Sequence, residues 1–217
     1  MRQLFLQLLL SAIQLRDRFR LARLSAAHPG LSVHPRASTN LASASFDLAP
    51  GARLQIGPGV VTEHRHHGVR FSLGPGARIS IGEGTWLRSD LGPVQLFAFE
   101  GAEIELGPDC FLNGCHLSAK SSLRLGRSAW VGPGSRIFDS DQHDLDADHP
   151  EVTQPVVVGD FAWVASDVTV LRGVEIGAHC VIGARSLVTR SIPAHTLAYG
   201  VPARPGGEVG DRSEVPI

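Results

Sequence analysis

The chain is poor in most of the features that sort proteins quickly. Its 217 residues include only three cysteines, Cys110, Cys115 and Cys180. So sparse and odd a set excludes a disulfide scaffold and fits a reducing, cytoplasmic setting. A basic excess is also missing. Twenty Lys and Arg face 21 Asp and Glu, which removes bulk nucleic-acid binding, because that needs a cationic surface to displace counterions. Aromatic residues make up only 6 % of the chain, whereas glycine is plentiful at 24. Few rings and many glycines suit a narrow aliphatic interior with frequent corners.

What is present is a short period. From Val158 a step of six meets Val164, Val170, Ile176, Ile182 and Val188, all β-branched and apolar. Four residues after these positions come Ala162, Val168, Val174, Cys180, Ser186 and Ile192, mostly small or apolar. A period of six matches neither the helix nor simple alternation. It predicts a solenoid of short strands and turns, in which three units close one triangular coil and the β-branched residue points inward. Cys180 falls on an inward position and is expected to be a buried thiol.

Earlier in the chain one phrase recurs: GARLQIGPG at 51–59, GARISIGEG at 76–84, GAEIELGPD at 101–109 and SSLRLGRSA at 121–129. The glycine after the apolar residue stands at 57, 82, 107, 126, 159 and 177, so the steps are 25, 25, 19, 33 and 18. The last is three clean units, and each 25 is three units with a short excursion. The alternating pairs Leu54/Ile56, Ile79/Ile81, Ile104/Leu106 and Leu123/Leu125 read as strands on one face. The step of 33 holds a polar insertion, Asp139 to Pro155, and a loop of that length on a rigid coil is usually functional or disordered.

Residues 1–28 read as a helix ahead of the coil, with an apolar stripe that includes Leu6, Leu9, Leu10, Ile13 and Leu24 and with Arg16, Arg18, Arg20 and Arg23 in its second half. Gln7 and Gln14 break the run expected of a signal peptide. Asp17 and the arginines fall inside the roughly 20 apolar residues a span requires. Two readings stand: packing on the domain or a partner, or lying on a membrane surface as a basic amphipathic helix. The coil is expected over 33–204 and a flexible tail over 205–217.

The run Val156–Pro202, with units such as Ile176-Gly177 and Ile182-Gly183, resembles the hexapeptide-repeat acyltransferases, whose units read [LIV]-G-x-x-x-x. The resemblance implies a mainly β fold, a left-handed parallel β-helix; handedness does not come from the spacing, since ordinary crossovers are right-handed. It further implies a homotrimer with sites between copies, and acetyl-CoA as acyl donor without a metal. The segment SRIFDSDQHDLD resembles the catalytic-His segment of the family's sugar O-acetyltransferases. It makes His143 the expected general base, with Asp139, Asp141 and Asp144 all near enough to partner it and Asp141 favoured. Asn113 and Asp139 are expected to meet the acceptor, and Trp163 to pack outside the coil near the loop, in reach of the acceptor.

For the donor the resemblance points to small residues that let a thin pantetheine arm approach the backbone: Ala165 and Ser166, and Ala184 with Arg185. Arg190 and Arg204, the latter in the closing GVPARP, are expected to meet CoA phosphates. The implied function is acetyl transfer to a sugar hydroxyl in polysaccharide or glycolipid assembly, in the cytoplasm or at the inner face of the membrane. Two alternatives remain at this stage. One is a γ-type carbonic anhydrase, which needs three histidines on zinc where the loop offers only His143 and His149. The other is a β-helix scaffold without catalysis. The group His64, His66 and His67 lacks an acidic or cysteine companion and reads as solvated corner residues rather than a metal site.

Overall fold

In the computed structural model, which describes residues 2–215, the chain is one helix followed by a parallel β-helix of three sheets. The first sheet stacks Leu31–Val33, Arg53–Ile56, Arg78–Ile81, Glu103–Leu106, Ser122–Leu125, Val156–Val158 and Glu175–Ile176. The register joins Ile56 to Ile81, Ile81 to Leu106, Leu106 to Leu125, Leu125 to Val158, and Val158 to Ile176. The repeated phrases therefore mark one face, as their spacing implies. The second face carries Trp86–Arg88, Phe111–Asn113, Trp130–Val131, Trp163–Val164 and Val181–Ile182. The third carries Val69–Leu73, Val94–Ala98, His116–Ala119, Arg136–Phe138, Thr169–Val170 and Leu187–Val188.

The step of six carries the chain from face to face. Val158, Val164, Val170, Ile176, Ile182 and Val188 are all fully buried, and Ala162, Val168, Val174, Cys180, Ser186 and Ile192 line the same interior. Many strands are only two residues long. They persist because each lies between a copy above and a copy below, not through their own propensity. The 25-residue coils are wider for two reasons. Their third-face strands, Val69–Leu73 and Val94–Ala98, are five residues long, and the chain makes excursions between Thr62 and Val69 and between Arg88 and Val94.

Corners set how closely coils stack. A Cβ on Gly82 would lie 2.5 Å from the Gly107 carbonyl carbon, so only glycine fits there. The corner between the first and second faces is a column of left-handed residues: Gly59, Gly84, Asp109, Ser128, Phe161, His179 and His195. From Gly84 onward each donates its amide to the coil above, as His179 does to Asp160 and His195 to Ala178. That ladder offsets the roughly 1–2 kcal/mol a non-glycine residue loses in this conformation.

The helix Arg2–Ala27 confirms the expected element. Its second half packs on the turn Thr39–Ser43 and the first strand through Leu21 and Leu24. Asp17 is buried there, taking hydrogen bonds from Arg16 at 2.8 Å and from His64 at 3.0 Å. His64 thus ties helix to coil.

The tail departs from expectation. As far as Val215 it is held, and residues 216–217 lie outside the described residues. Ala203–Glu208 forms an antiparallel hairpin with Thr196–Gly200. Beyond it, the Val209 amide donates to the His195 carbonyl, and Arg212 donates its amide to His179 Nδ1 and its Nε to the Phe161 carbonyl. The reason is the stacked Phe161–His179–His195 column, 5.0 Å and 4.7 Å between ring centroids, which gives the tail a flat wall to lie on.

The inward stack predicts a sharp contrast between neighbours. Ile104→Ala, at a fully buried position, should lower unfolding free energy by about 2–5 kcal/mol in urea denaturation. Glu105→Ala, which removes only an exposed pair with Arg124, should change it by less than about 1 kcal/mol.

Candidate active site

The Asp139–Pro155 loop leaves the coil at the corner between the third and first faces, after Phe138 and before Val156. Its root is Asp139, which is fully buried. Both carboxylate oxygens accept backbone amides, from Lys120 and from Ser121, each at 2.7 Å. Burial pushes this carboxyl up, against the pull of those amides. Asp139 is therefore the loop's anchor, with each oxygen engaged by a backbone amide and the side chain closed off from solvent.

Two cations from the coil hold the rest of the loop. Lys120 Nζ reaches down to Glu151 at 2.8 Å and to the Gln142 carbonyl at 3.0 Å, and lies over the Phe99 ring at 5.1 Å. Arg172, one coil below, donates to Asp141 and to the Gln154 side chain, each at 2.6 Å. The hydrogen bond from Arg172 holds the Asp141 carboxyl below the usual carboxylate range, and the one from Lys120 does the same for Glu151. Gln142, in left-handed backbone at φ 71°, bonds to the Ser140 hydroxyl through its side-chain amide at 2.6 Å.

His143 follows Gln142 and is exposed. Among the described residues its ring has no bond to Asp141, whose oxygens go to Arg172 and to the Val152 amide. The expected His143–Asp141 pair is thus not brought together within one chain. Lys120 instead fixes the peptide that carries His143 into its place. Lys120, Glu151 and Arg172 are the residues sequence reasoning missed. Glu151 stands within the insertion itself, and Lys120 and Arg172 stand at the same corner one coil before and one coil after it.

The residues expected to meet the donor gather along another edge, the corner between the second and third faces. Ala165 and Ser166 stand one coil above Gly183, Ala184 and Arg185, with the Ala165 amide bonded to Ile182 and the Arg185 amide to Ser166 at 2.9 Å. Ala165 is packed, Ser166 half-buried, and Ala184 and Arg185 exposed. Arg185 sits in left-handed backbone at φ 61°. Arg204 lies at the end of this corner, paired across the hairpin with Tyr199, against which a Cβ on Gly183 would clash at 2.8 Å. Asn113 heads the same column two coils above, buried, with its side-chain oxygen lacking a hydrogen-bond partner.

Two expected residues fall elsewhere. Arg190 follows Val188 on the third face and turns the corner toward Ile192 on the first. It therefore shares the loop's corner, one coil beyond Arg172, and not the Ala184 column. Trp163 lies on the second face, 6.4 Å from Trp130 and beneath the Arg212 guanidinium at 5.5 Å. It packs outside the coil as expected, but against the C-terminal tail and not beside the loop. The outer third face, next to the loop root, instead carries His116 between Phe97 and Phe138, 5.1 Å and 5.6 Å away. Burial lowers its pKa.

The remaining titratable groups of the interior are inert. Burial pushes the Cys110 and Cys115 thiols up to about 12 and raises Cys180 as well, so none supplies a thiolate near neutral pH.

Comparison with known proteins agrees with this geometry. Residues 155–190 match the family described as bacterial transferase hexapeptide (six repeats). The galactoside O-acetyltransferase of Escherichia coli (strain K12) is 29 % identical over 118 residues, 52 % of this chain and 58 % of its own length. The putative colanic acid biosynthesis acetyltransferase WcaF of the same strain is 34 % identical over 101 residues, 37 % of this chain and 56 % of its own. The chain thus spans little more than half the length of the curated relatives it matches. Among solved structures, the polySia-specific acetyltransferase NeuO superposes with a TM-score of 0.57 at 18 % identity, over 80 % of this chain and 85 % of that one. The resemblance to hexapeptide-repeat acyltransferases holds, and the coil is the left-handed parallel β-helix.

The two clamps on the loop make a pH prediction. Both carboxyls sit below their ordinary values in the folded chain. Their contribution is complete above those values and is lost as the pH falls through the depressed ones. Hydrogen–deuterium exchange, corrected for intrinsic rates, should show residues 141–152 opening under acid before the coil does. At neutral pH, Lys120→Met should speed exchange across the loop about tenfold, by removing two hydrogen bonds to a charged donor.

Proposed function

We propose that this protein is an acetyl-CoA-dependent O-acetyltransferase that acts on a sugar hydroxyl, with His143 as the general base. The observation that carries the reading is the coil's one long polar insertion, clamped from above by Lys120 and from below by Arg172 so that His143 projects from a fixed peptide. The names of the relatives, a galactoside and a colanic acid acetyltransferase, support sugar as the acceptor class.

In the proposed reaction the acceptor hydroxyl gives its proton to the imidazole as its oxygen attacks the thioester carbonyl carbon. A new C–O bond forms, the C–S bond breaks, and the imidazolium returns the proton to the departing thiolate. Backbone amides at the corner would stabilise the developing oxyanion. The corner suits the donor: Ala184 leaves the backbone open to a thin arm, and Arg185 and Arg204 provide charge for phosphates along the same edge.

Loop and donor corner flank the third face from opposite edges of one chain. We therefore place the complete site between copies, with the loop of one approaching the donor corner of the next, as a homotrimer would arrange it. In this arrangement a partner copy supplies whatever orients the His143 ring, since Asp141 is held by Arg172.

The test is thiol release from acetyl-CoA with a panel of sugar and glycolipid acceptors. His143→Ala should lower kcat by about 10²- to 10⁴-fold with unchanged folding, and full activity in that variant would remove the assignment. Arg185→Glu and Arg204→Glu should raise KM for acetyl-CoA.

A further inference from the structure

The N-terminal helix is docked over only half its length. From Gln3 to Leu15 its described side chains are exposed apart from Ile13, which is half-buried, while Leu21 and Leu24 further on pack on the first coil. The free half is strongly apolar: Leu6, Leu8, Leu9 and Leu10 are 49, 63, 47 and 57 % exposed. A second stripe runs along the side opposite the docked one. Leu8, Ala12, Leu15 and Phe19 follow i, i+4, i+7, i+11 spacing, and Leu15 and Phe19 are 58 and 64 % exposed. Arg16, Arg18, Arg20 and Arg23 form a collar just after the apolar half.

Charge is segregated to match. Residues 1–27 contain five arginines and one aspartate, a net of +4, which leaves −5 on the rest of a chain whose formal total is −1. Arg16 is the one cation of the collar joined to that aspartate, at 2.8 Å.

We propose that this helix is a docking element for an anionic phospholipid surface, with Leu8, Leu15 and Phe19 entering the headgroup boundary and Arg18, Arg20 and Arg23 meeting phosphates. Charge argues against a second helix as the occupant. A second copy of the helix would bring the same +4 against this one, whereas an anionic bilayer supplies the opposite sign along with an apolar layer. No helix among the described residues is long and apolar enough to cross a membrane, so the element lies in the interface. The Asp17–His64 joint and the Leu21 contact would then hold the coil at a fixed attitude to that surface.

The test uses the full chain in flotation with phosphatidylcholine vesicles, with and without phosphatidylserine. The wild type should float with the anionic vesicles alone, and less so as salt rises. Arg20→Glu/Arg23→Glu should weaken binding by about a hundredfold or more, and Leu8→Asp/Leu15→Asp/Phe19→Asp should abolish it. Circular dichroism and thermal midpoints should match the wild type, since these side chains are exposed. Absence of flotation, or flotation unchanged in both variants, overturns the proposal. So does a triple-aspartate variant that sediments as a smaller assembly than a wild type that fails to float, which would make a second copy the occupant.

Discussion

The stacking of one inward side chain on its counterpart in the next coil is what the rest of the molecule depends on. Val158 on Ile176 and Val164 on Ile182 are contacts between residues eighteen apart. Each is local along the coil axis, and each aligns the backbone for the hydrogen bonds of a strand too short to exist alone. Such a stack can be interrupted without being lost. The ladder halts at Phe138 and resumes when Val156 pairs with Leu123. The loop between them adds closure entropy that grows only slowly with its length.

That tolerance explains where chemistry can be added. Corners and insertions are the places on a β-helix where residue choice is free of the inward period. Here the two richest places are separate. The loop with His143 rises from one edge of the third face, held by Lys120 and Arg172, and the small-residue column from Ala165 to Arg185 follows the other. Both sets are fastened to the coil, not to one another. A reaction needing both is naturally shared between neighbouring copies, which is the arrangement proposed above.

The ends of the coil face a different problem, since a terminal coil leaves an apolar layer and an unpaired strand edge. The helix covers the first coil through Leu21 and Leu24, and the hairpin Thr196–Glu208 follows the last second-face strand. The tail continues onto the Phe161–His179–His195 wall and brings Arg212 over Trp130 and Trp163. Each cap also places charge at the surface, and the helix places five of the chain's 20 Lys and Arg beyond the coil.

The sequence by itself determined the coil. A period of six and a phrase repeated on one face identify the inward positions, because in a solenoid the partner of a residue lies at a fixed distance along the chain. It also determined that the insertion at 139–155 was the exceptional segment and that the chain opened with a helix. Only the tertiary structure decided which groups meet. Asp141 looked like the partner of His143 by proximity, yet it faces Arg172, more than thirty residues away and one coil below. Asp139, four residues before His143, is a buried anchor, and the described part of the tail is fastened to three stacked rings. These pairings cross from loop to coil or from tail to corner, where no period relates the two sequence positions. The geometry of the stack sets them, and that geometry exists only once the coil has closed.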